Sequence, residues 1–321
     1  MTIGIVGVGA VGARVARHLG SDVVLYDHRD APARAIAGRL GLLQLDLSGL
    51  AAAADLVVIA GATPQCELAA ALLEGSIHVV TTSDDPDDCA ALLDLDPVAR
   101  AHDAVLVVGA AMAPGLSGLL SASLAGRLDS ADEVHIAAHG TGGPDCARQH
   151  HNALSGMADG WHDGGWIRRP AGSSRELCWF PEPIGGRDCY RAAMPDPLLL
   201  HTAMPELQRI SARMSATRRD RLTARLPMLS PPHREGGIGA LRVEVRGNRG
   251  RARVGLVAGV AERAAAVAAA VAASVAAAIA DQRWVPEPGA VVLGDPDCPT
   301  ADLLADIARH GIALQEYAGM E

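Results

Sequence analysis

TIGIVGVGAVGARVARHLG, residues 2–20, constrains the fold of this chain more than any other stretch. A short apolar run meets three glycines, and a helical pattern of Val11, Val15, Ala16 and Leu19 follows at once. Gly7, Gly9 and Gly12 form G-x-G-x-x-G across this strand-to-helix corner. Gly7 permits the tight turn, Gly9 lets a pyrophosphate approach the backbone, and Gly12 lets the helix lie close on the strand. The N–H groups that open the helix, around Ala10 and Val11, have no partner within it and are available to an anion.

The continuation makes this corner specific. DVVLYD reads as a second strand ending at Asp27, about twenty positions after the first glycine, where a carboxylate accepts hydrogen bonds from an adenosine ribose. Asp27 repels a 2′-phosphate, whereas Arg29 can reach one, so the expected cofactor is NAD(P), leaning to NAD. LLQLDL, DLVVIA (55–60), IHVVTT (77–82) and AVLVVGA (104–110) are near-continuous apolar runs separated by helical segments. They predict an α/β Rossmann domain over residues 1–125, a doubly wound parallel sheet covered on both faces. Ligands in such sheets bind beyond the carboxyl ends of the strands. That places Gly61, Ala62 and Thr63 of GATP, Thr82 and Ser83 of TTSDD, and Met112, Pro114 and Gly115 of AAMAPGLSG near a nicotinamide and its substrate.

Three segments, GIVGVGAVGARVARHL, DLVVIAGATPQCELAAALLEGSIHVVTTSDD and VLVVGAAMAPGLSGLLSASL, together resemble the saccharopine dehydrogenase-like NAD(P)-binding family, including amino-acid dehydrogenases of the lysine-6-dehydrogenase type. The resemblance spans residues 1–125 and is faint beyond them. It implies reversible hydride transfer between a nicotinamide and a carbon bearing nitrogen in a small amino acid, amine or imine. Some enzymes of that activity use a lysine in acid-base work, and this chain contains no lysine at all. Protein Schiff bases and a lysine general base are therefore excluded, and proton transfer falls to His, Asp, Glu, Tyr, Cys or water.

EVHIAAH (133–139), ELCWF (176–180), RDCYRAA (187–193), RISARMSAT (209–217) and ALRVEVRG (240–247) alternate apolar with polar residues. They predict a second α+β domain over 126–256, built on a largely antiparallel sheet, for substrate binding and dimerisation. An exposed sheet also suggests a homodimer. Residues 257–321 are expected to return to the first domain as helices. Val267, Val271, Val275 and Ile279 form a branched stripe on the alanine-rich helix, and TADLLADIARHG makes another.

A net charge of -9 without a long basic run argues against nucleic acid and leaves a small molecule as the expected partner. Alanine and two charges make the 258–280 segment a poor membrane span. TIGIVG follows Met1 with no basic leader, so a cytoplasmic location is expected. Six cysteines without a C-x-x-C pair read as reduced thiols.

HHNALSGMADGWHDGGW, residues 150–166, concentrates histidine and tryptophan. The preceding GTGGP predicts a helix from 144 to about 158, with Ala147, His150, Leu154 and Met157 on one face. His150 then sits in an apolar seam and His151 at its edge, either as a packed core histidine and its neighbour or as the catalytic acid-base group. No metal is expected, because adjacent helical histidines point apart and H-x-x-x-H is missing. Trp161 and Trp166 are expected in a glycine-rich loop walling the pocket, and Arg148, Arg168, Arg169 and Arg175 are candidate clamps for a substrate carboxylate. The functional reading is an NAD(P)-dependent C–N oxidoreductase. Carbonyl reduction and a non-catalytic cofactor-binding sensor are the alternatives.

Overall fold

A computed structural model describes residues 1–20, 23–228 and 231–318. Asp22, the first residue of the expected second strand, lies outside them. The first domain carries strands β1 (Ile3–Val6), β2 (Val23–Tyr26), β3 (Leu43–Gln44), β4 (Leu56–Ile59), β5 (His78–Thr81) and β6 (Val105–Val108). The second carries β7 (Ser130–His139), β8 (Met157–His162), β9 (Gly165–Pro170), β10 (Glu176–Trp179), β11 (Gly186–Arg191), β12 (Arg209–Ser215), β13 (Ile238–Arg249) and β14 (Ala252–Arg263). Two further strands, β15 (Gly289–Val292) and β16 (Gln315–Ala318), come from the tail.

The first sheet is parallel throughout, in the order β15-β6-β5-β4-β1-β2-β3. β1, β4 and β6 are buried at every position, as strands covered on both faces must be. The strand order reverses between β1 and β4, which opens a crevice at their carboxyl ends. The second sheet runs β10-β11-β12-β7-β13-β14-β16, with β8 pairing β12 and β9 pairing β8. Its pairs are antiparallel except β12 with β7. This is the expected α/β Rossmann domain followed by a largely antiparallel sheet.

β14 carries the second sheet to residue 263, beyond the expected boundary at 256, and passes straight into the helix Ala264–Ala280. Val267, Val271, Val275 and Ile279 are buried, and so are most alanines between them, so the helix is covered on more than the one predicted stripe. It packs against the Gly12–Leu19 helix, β4 and β5, and also against β13 and β14. The tail is not wholly helical: β15 joins β6 in the first sheet and β16 joins β14 in the second. No described helix is long and apolar enough to cross a membrane, and all six cysteines are free.

The structure corrects the reading of the histidine-rich window. The helix spans Pro144–Asn152 and stops well short of 158, so Leu154 and Met157 do not share a helical face with His150. Trp161 and Trp166 lie not in a loop but opposite each other in the β8–β9 hairpin. The physical reason is visible in MADGWHDGGWIRRP. Asp163 and Gly164 both take positive φ (48° and 79°), the turn geometry that an Asp-Gly pair favours between twisted strands. Gly156, at φ 76°, separates helix from hairpin.

His18, on the first helix, stacks on His310 of the tail with ring centroids 4.2 Å apart. Burial, reinforced by the charges of His310, Arg17 and Arg14, pushes its pKa down to about 4. The unfolded chain therefore binds more protons than the folded one between about pH 4 and the ordinary histidine value, and stability declines as pH falls through that window. Because the ring is only half-buried, His18→Gln is expected to remove on the order of 1 kcal/mol of the acid loss. Urea midpoints at pH 7.5 and 4.5 check this; equal acid losses in the two proteins refute it.

Candidate functional site

The β1–α corner has the features its sequence requires. Gly7 sits at φ 90° with the backbone of Ala60 and Gly61 against it, and a Cβ on Gly12 would lie 1.9 Å from the Gly7 carbonyl oxygen. Gly9 has open space where a Cβ would be, and so does Gly61. The N–H groups of Ala10 and Val11 find no acceptor among the described residues. Bare amides over an open glycine at a helix start fit a dinucleotide pyrophosphate.

At the carboxyl end of β2, Asp27 is buried and already engaged. Its carboxylate accepts from the Val8 N–H at 2.7 Å and the Arg29 N–H at 2.8 Å, and the Arg29 side chain lies on it. Burial alone would raise the Asp27 carboxyl, but the Arg29 guanidinium and the two backbone donors outweigh it and hold the group below its usual value. The Arg29 side chain remains half-exposed.

A single buried carboxylate ties the next two loops together. Asp88 accepts from the N–H groups of Gln65 and Cys66 and from the Ser83 hydroxyl at 2.7 Å. The Gln65 side chain donates to the Gly61 carbonyl at 3.0 Å and accepts from the Thr82 N–H at 3.2 Å. Ser83, expected at the cofactor, is thus fully buried and occupied by Asp88, and Ala62 is exposed. Gly61, Thr63 and Thr82 do line the cleft, as does Met112. Pro114 and Gly115 are not among the lining residues; Gly115, at φ 114°, packs on Ala111 and Gly109 and shapes the loop that holds Met112.

The cleft between the two domains spans about 850 Å³, the solvent at its mouth included. Asp84, at the carboxyl end of β5, faces Cys146 and His150 from the Pro144–Asn152 helix across it, and their donor atoms all lie within 4.8 Å of one another. Cys146 and His150 are four residues apart and share one helical face. Each of the three is half-buried. Burial pushes the Asp84 carboxyl up to about 6, with Asp85 and Asp145 adding repulsion. Burial, helped by His139, pushes His150 down to about 4. Burial and the Asp84 charge hold the Cys146 thiol well above its usual value, so it is not an activated nucleophile. No ion pair reaches Asp84 among the described residues.

The other expected site residues lie elsewhere. His151 donates its Nε2–H to the Leu226 carbonyl oxygen at 2.8 Å, near the surface, and lines an adjoining cavity that shares Gly140 and His150 with the cleft. Arg148 pairs with Asp145 on the helix exterior. Trp161 stacks on His201 and donates to the Leu207 carbonyl, Trp166 packs on Trp161, and Arg168 pairs with Asp159 of the same hairpin. Arg175 pairs with Asp188. Arg169 lines a separate cavity on the second sheet. Sequence reasoning missed Asp84, Cys146 and the adjoining-cavity Arg187. The signal for Cys146 was Cys-x3-His at 146 and 150, one helical turn, in place of the H-x-x-x-H that was sought; no sequence spacing points to Asp84.

Asp88→Ala would strand two backbone donors and the Ser83 hydroxyl inside the protein. A loss of about 3 kcal/mol is expected in urea unfolding, whereas Asp87→Ala, on an exposed neighbour, should change little. Equal stability of the two variants refutes the role given to Asp88.

No protein-family model and no curated protein sequence matches the chain. Solved structures do. Apo saccharopine dehydrogenase (L-Glu forming) from Saccharomyces cerevisiae aligns over 99% of this chain and 99% of its own, with a TM-score of 0.74 at 14% identity. The diaminopimelate (DAP) dehydrogenase of C. glutamicum in complex with DAP aligns over 96% and 99%, with a TM-score of 0.52 at 13% identity. An amine dehydrogenase from Mycobacterium smegmatis aligns over 90% and 94%, with a TM-score of 0.51 at 15% identity. From its glycine-rich corner to its returning tail, the chain has the two-domain fold of a saccharopine dehydrogenase.

Proposed function

We propose that this protein is a nicotinamide-dependent oxidoreductase acting on a carbon–nitrogen bond of a small amino acid, amine or imine in the interdomain cleft. The observation that carries the reading is the position of Asp84 and His150, facing each other from the two domains at the carboxyl ends of the parallel strands, in a cleft whose charged lining groups are acidic. An acidic cleft favours a protonated amine or iminium over a neutral carbonyl. The three dehydrogenases of like fold support the same chemistry.

Gly7, Gly9, Ala10, Val11 and Gly12 cradle the pyrophosphate, and Asp27 with Arg29 borders the adenosine ribose. Arg29 neutralises Asp27, but the buried carboxylate still disfavours a 2′-phosphate, so NAD is the preferred cofactor in this proposal. Gly61, Thr63, Thr82 and Met112 border the nicotinamide. When bound, the nicotinamide gives or takes the hydride at C4.

The residues of the chain do the rest. His150 accepts the proton from the substrate nitrogen at an imidazole nitrogen and returns it in the reverse direction, since a half-buried neutral ring is the form able to accept. Asp84 holds the charged nitrogen opposite it. Arg187, in the adjoining cavity and without a carboxylate partner among the described residues, meets a substrate carboxylate in place of Arg148, Arg168 or Arg175. His151 stands too near the surface to share the proton transfer.

Calorimetry with NADH and NADPH, then turnover with a panel of amino acids, amines and keto acids, tests the reading. NADH is expected to bind more tightly than NADPH, and Gly9→Ala to weaken it by at least about tenfold without loss of stability, because the added Cβ meets no protein atom. His150→Gln is expected to lower kcat by about 100-fold or more while leaving NADH binding intact. Absence of nicotinamide binding, or full turnover in His150→Gln, overturns the corresponding part.

A further inference from the structure

Three side chains of different chemistry meet in the cleft. Asp84 offers a carboxylate oxygen, Cys146 a sulfur and His150 a ring nitrogen, all within 4.8 Å of one another. In a four-coordinate zinc site the metal–ligand bonds are about 2.0–2.3 Å, so donor atoms stand about 3.3–3.6 Å apart. Side-chain rotation of about 1 Å closes the difference, and two of the donors already share a helical face.

We propose that Asp84, Cys146 and His150 form a binding site for one divalent ion of the zinc type. The donor set selects the metal: thiolate and imidazole suit zinc or cobalt and disfavour magnesium and calcium, which want oxygen. Three protein ligands leave a fourth position open to the cleft. As the sulfur–metal bond forms, the Cys146 thiol proton leaves to solvent, while His150 binds through its lone pair and Asp84 through its charge.

The surroundings favour that exchange. Cys146 lies in the first turn of the Pro144–Asn152 helix, whose amide dipoles stabilise a thiolate, and the Gly142 N–H is aimed at its sulfur. Asp85 adds negative charge beside Asp84, whereas Asp145 is paired with Arg148. The ligands come from both domains, so a bound ion would also clamp the cleft.

The inference rests on the proposed reaction only for its consequence. An ion on His150 and Asp84 commits the lone pairs that would otherwise hold the substrate nitrogen and its proton, so the proposed proton transfer through His150 and ion binding compete for those two side chains.

The test uses the full chain, stripped with a chelator and titrated with Co²⁺ and with Zn²⁺ alone. One ion per chain is expected, with a sulfur-to-cobalt charge-transfer band that zinc displaces. Cys146→Ser should abolish the band, and Asp84→Asn and His150→Gln should each weaken binding by at least about tenfold, the low end for groups that merely orient ligands. Cys66→Ser, a half-buried cysteine outside the cleft lining, should retain both the band and the affinity. Binding of less than one ion, a cobalt spectrum without the sulfur band, or an unchanged spectrum in Cys146→Ser overturns the site. NADH calorimetry on the same stripped protein keeps the two readings apart: intact NADH binding without metal binding sinks only the ion, and the converse sinks only the hydride chemistry.

Discussion

Glycine packed on alanine, backbone against backbone, joins the two domains where β7 and β13 meet the start of the Ala264–Ala280 helix. A Cβ on Gly140 would lie 2.7 Å from the Gly239 Cα, and one on Gly239 would lie 2.8 Å from the His139 carbonyl oxygen and 3.0 Å from the Ala264 Cβ. Gly142 is looser, since a Cβ there would sit 3.4 Å from the Ala265 backbone nitrogen, an ordinary contact. No larger side chain fits at Gly140 or Gly239 without moving backbone, and protein interiors do not yield easily to extra atoms. From this junction the GTGG loop runs directly into the Pro144–Asn152 helix, which aims Cys146 and His150 at the ends of the parallel strands. On its other side the same alanine-rich helix lies on the Gly12–Leu19 helix, so the dinucleotide corner and the facing histidine are held by one element.

The charge distribution along the cleft then has a direction. At the adenosine end Asp27 is balanced by Arg29 and by backbone donors, which makes it a fixed acceptor of low net field. In the middle, bare N–H groups and a helix start favour an anion. At the far end Asp84 and Asp145 line the cleft with Asp85 close by; Arg148 balances Asp145, but no salt bridge reaches Asp84 among the described residues, and the potential reverses. A ligand that is anionic in its middle and meets a cation at its tip matches this order. Both readings of the far end, an amine nitrogen or a divalent ion, draw on that reversal, which is why they compete for one place.

How much of this was legible in the sequence differs sharply between the domains. The Rossmann half was readable because its strands are buried on both faces and each glycine of the corner has its own steric task; Gly12 against the Gly7 carbonyl is the contact the spacing implies. At the next loop the reading stopped one residue short. Ser83 and Asp84 are neighbours, yet Ser83 turns inward to Asp88 while Asp84 turns into the cleft, and a single sequence does not reveal which way a strand end points its side chains. In the second domain the Asp163–Gly164 turn was a short-range hairpin signal, overlooked because glycine and proline upstream of residue 144 suggested one long helix. His150 was found but for an incomplete reason: its seam is not built from Leu154 and Met157, and its chemical neighbours are Cys146, one turn back, and Asp84, from another domain. Helical spacing could reach the first of these, whereas the second exists only after the domains fold together.

The two cavities on either side of His150 turn position into selectivity. The interdomain cleft and the adjoining cavity share Gly140 and His150, so a molecule can extend from Asp84 past the imidazole toward Arg187. In the proposed reading a simple amine would engage only the acidic side, whereas an amino acid would engage both, its nitrogen at Asp84 and its carboxylate at Arg187, which has no acidic partner among the described residues. Charge of opposite sign at the two ends of one passage fixes the direction in which such a zwitterion enters, and like charges meeting at either end cost enough to reject the reversed pose. Orientation of the reacting carbon toward the parallel sheet then follows from electrostatics along the passage, without demanding a close steric fit around every atom of the ligand.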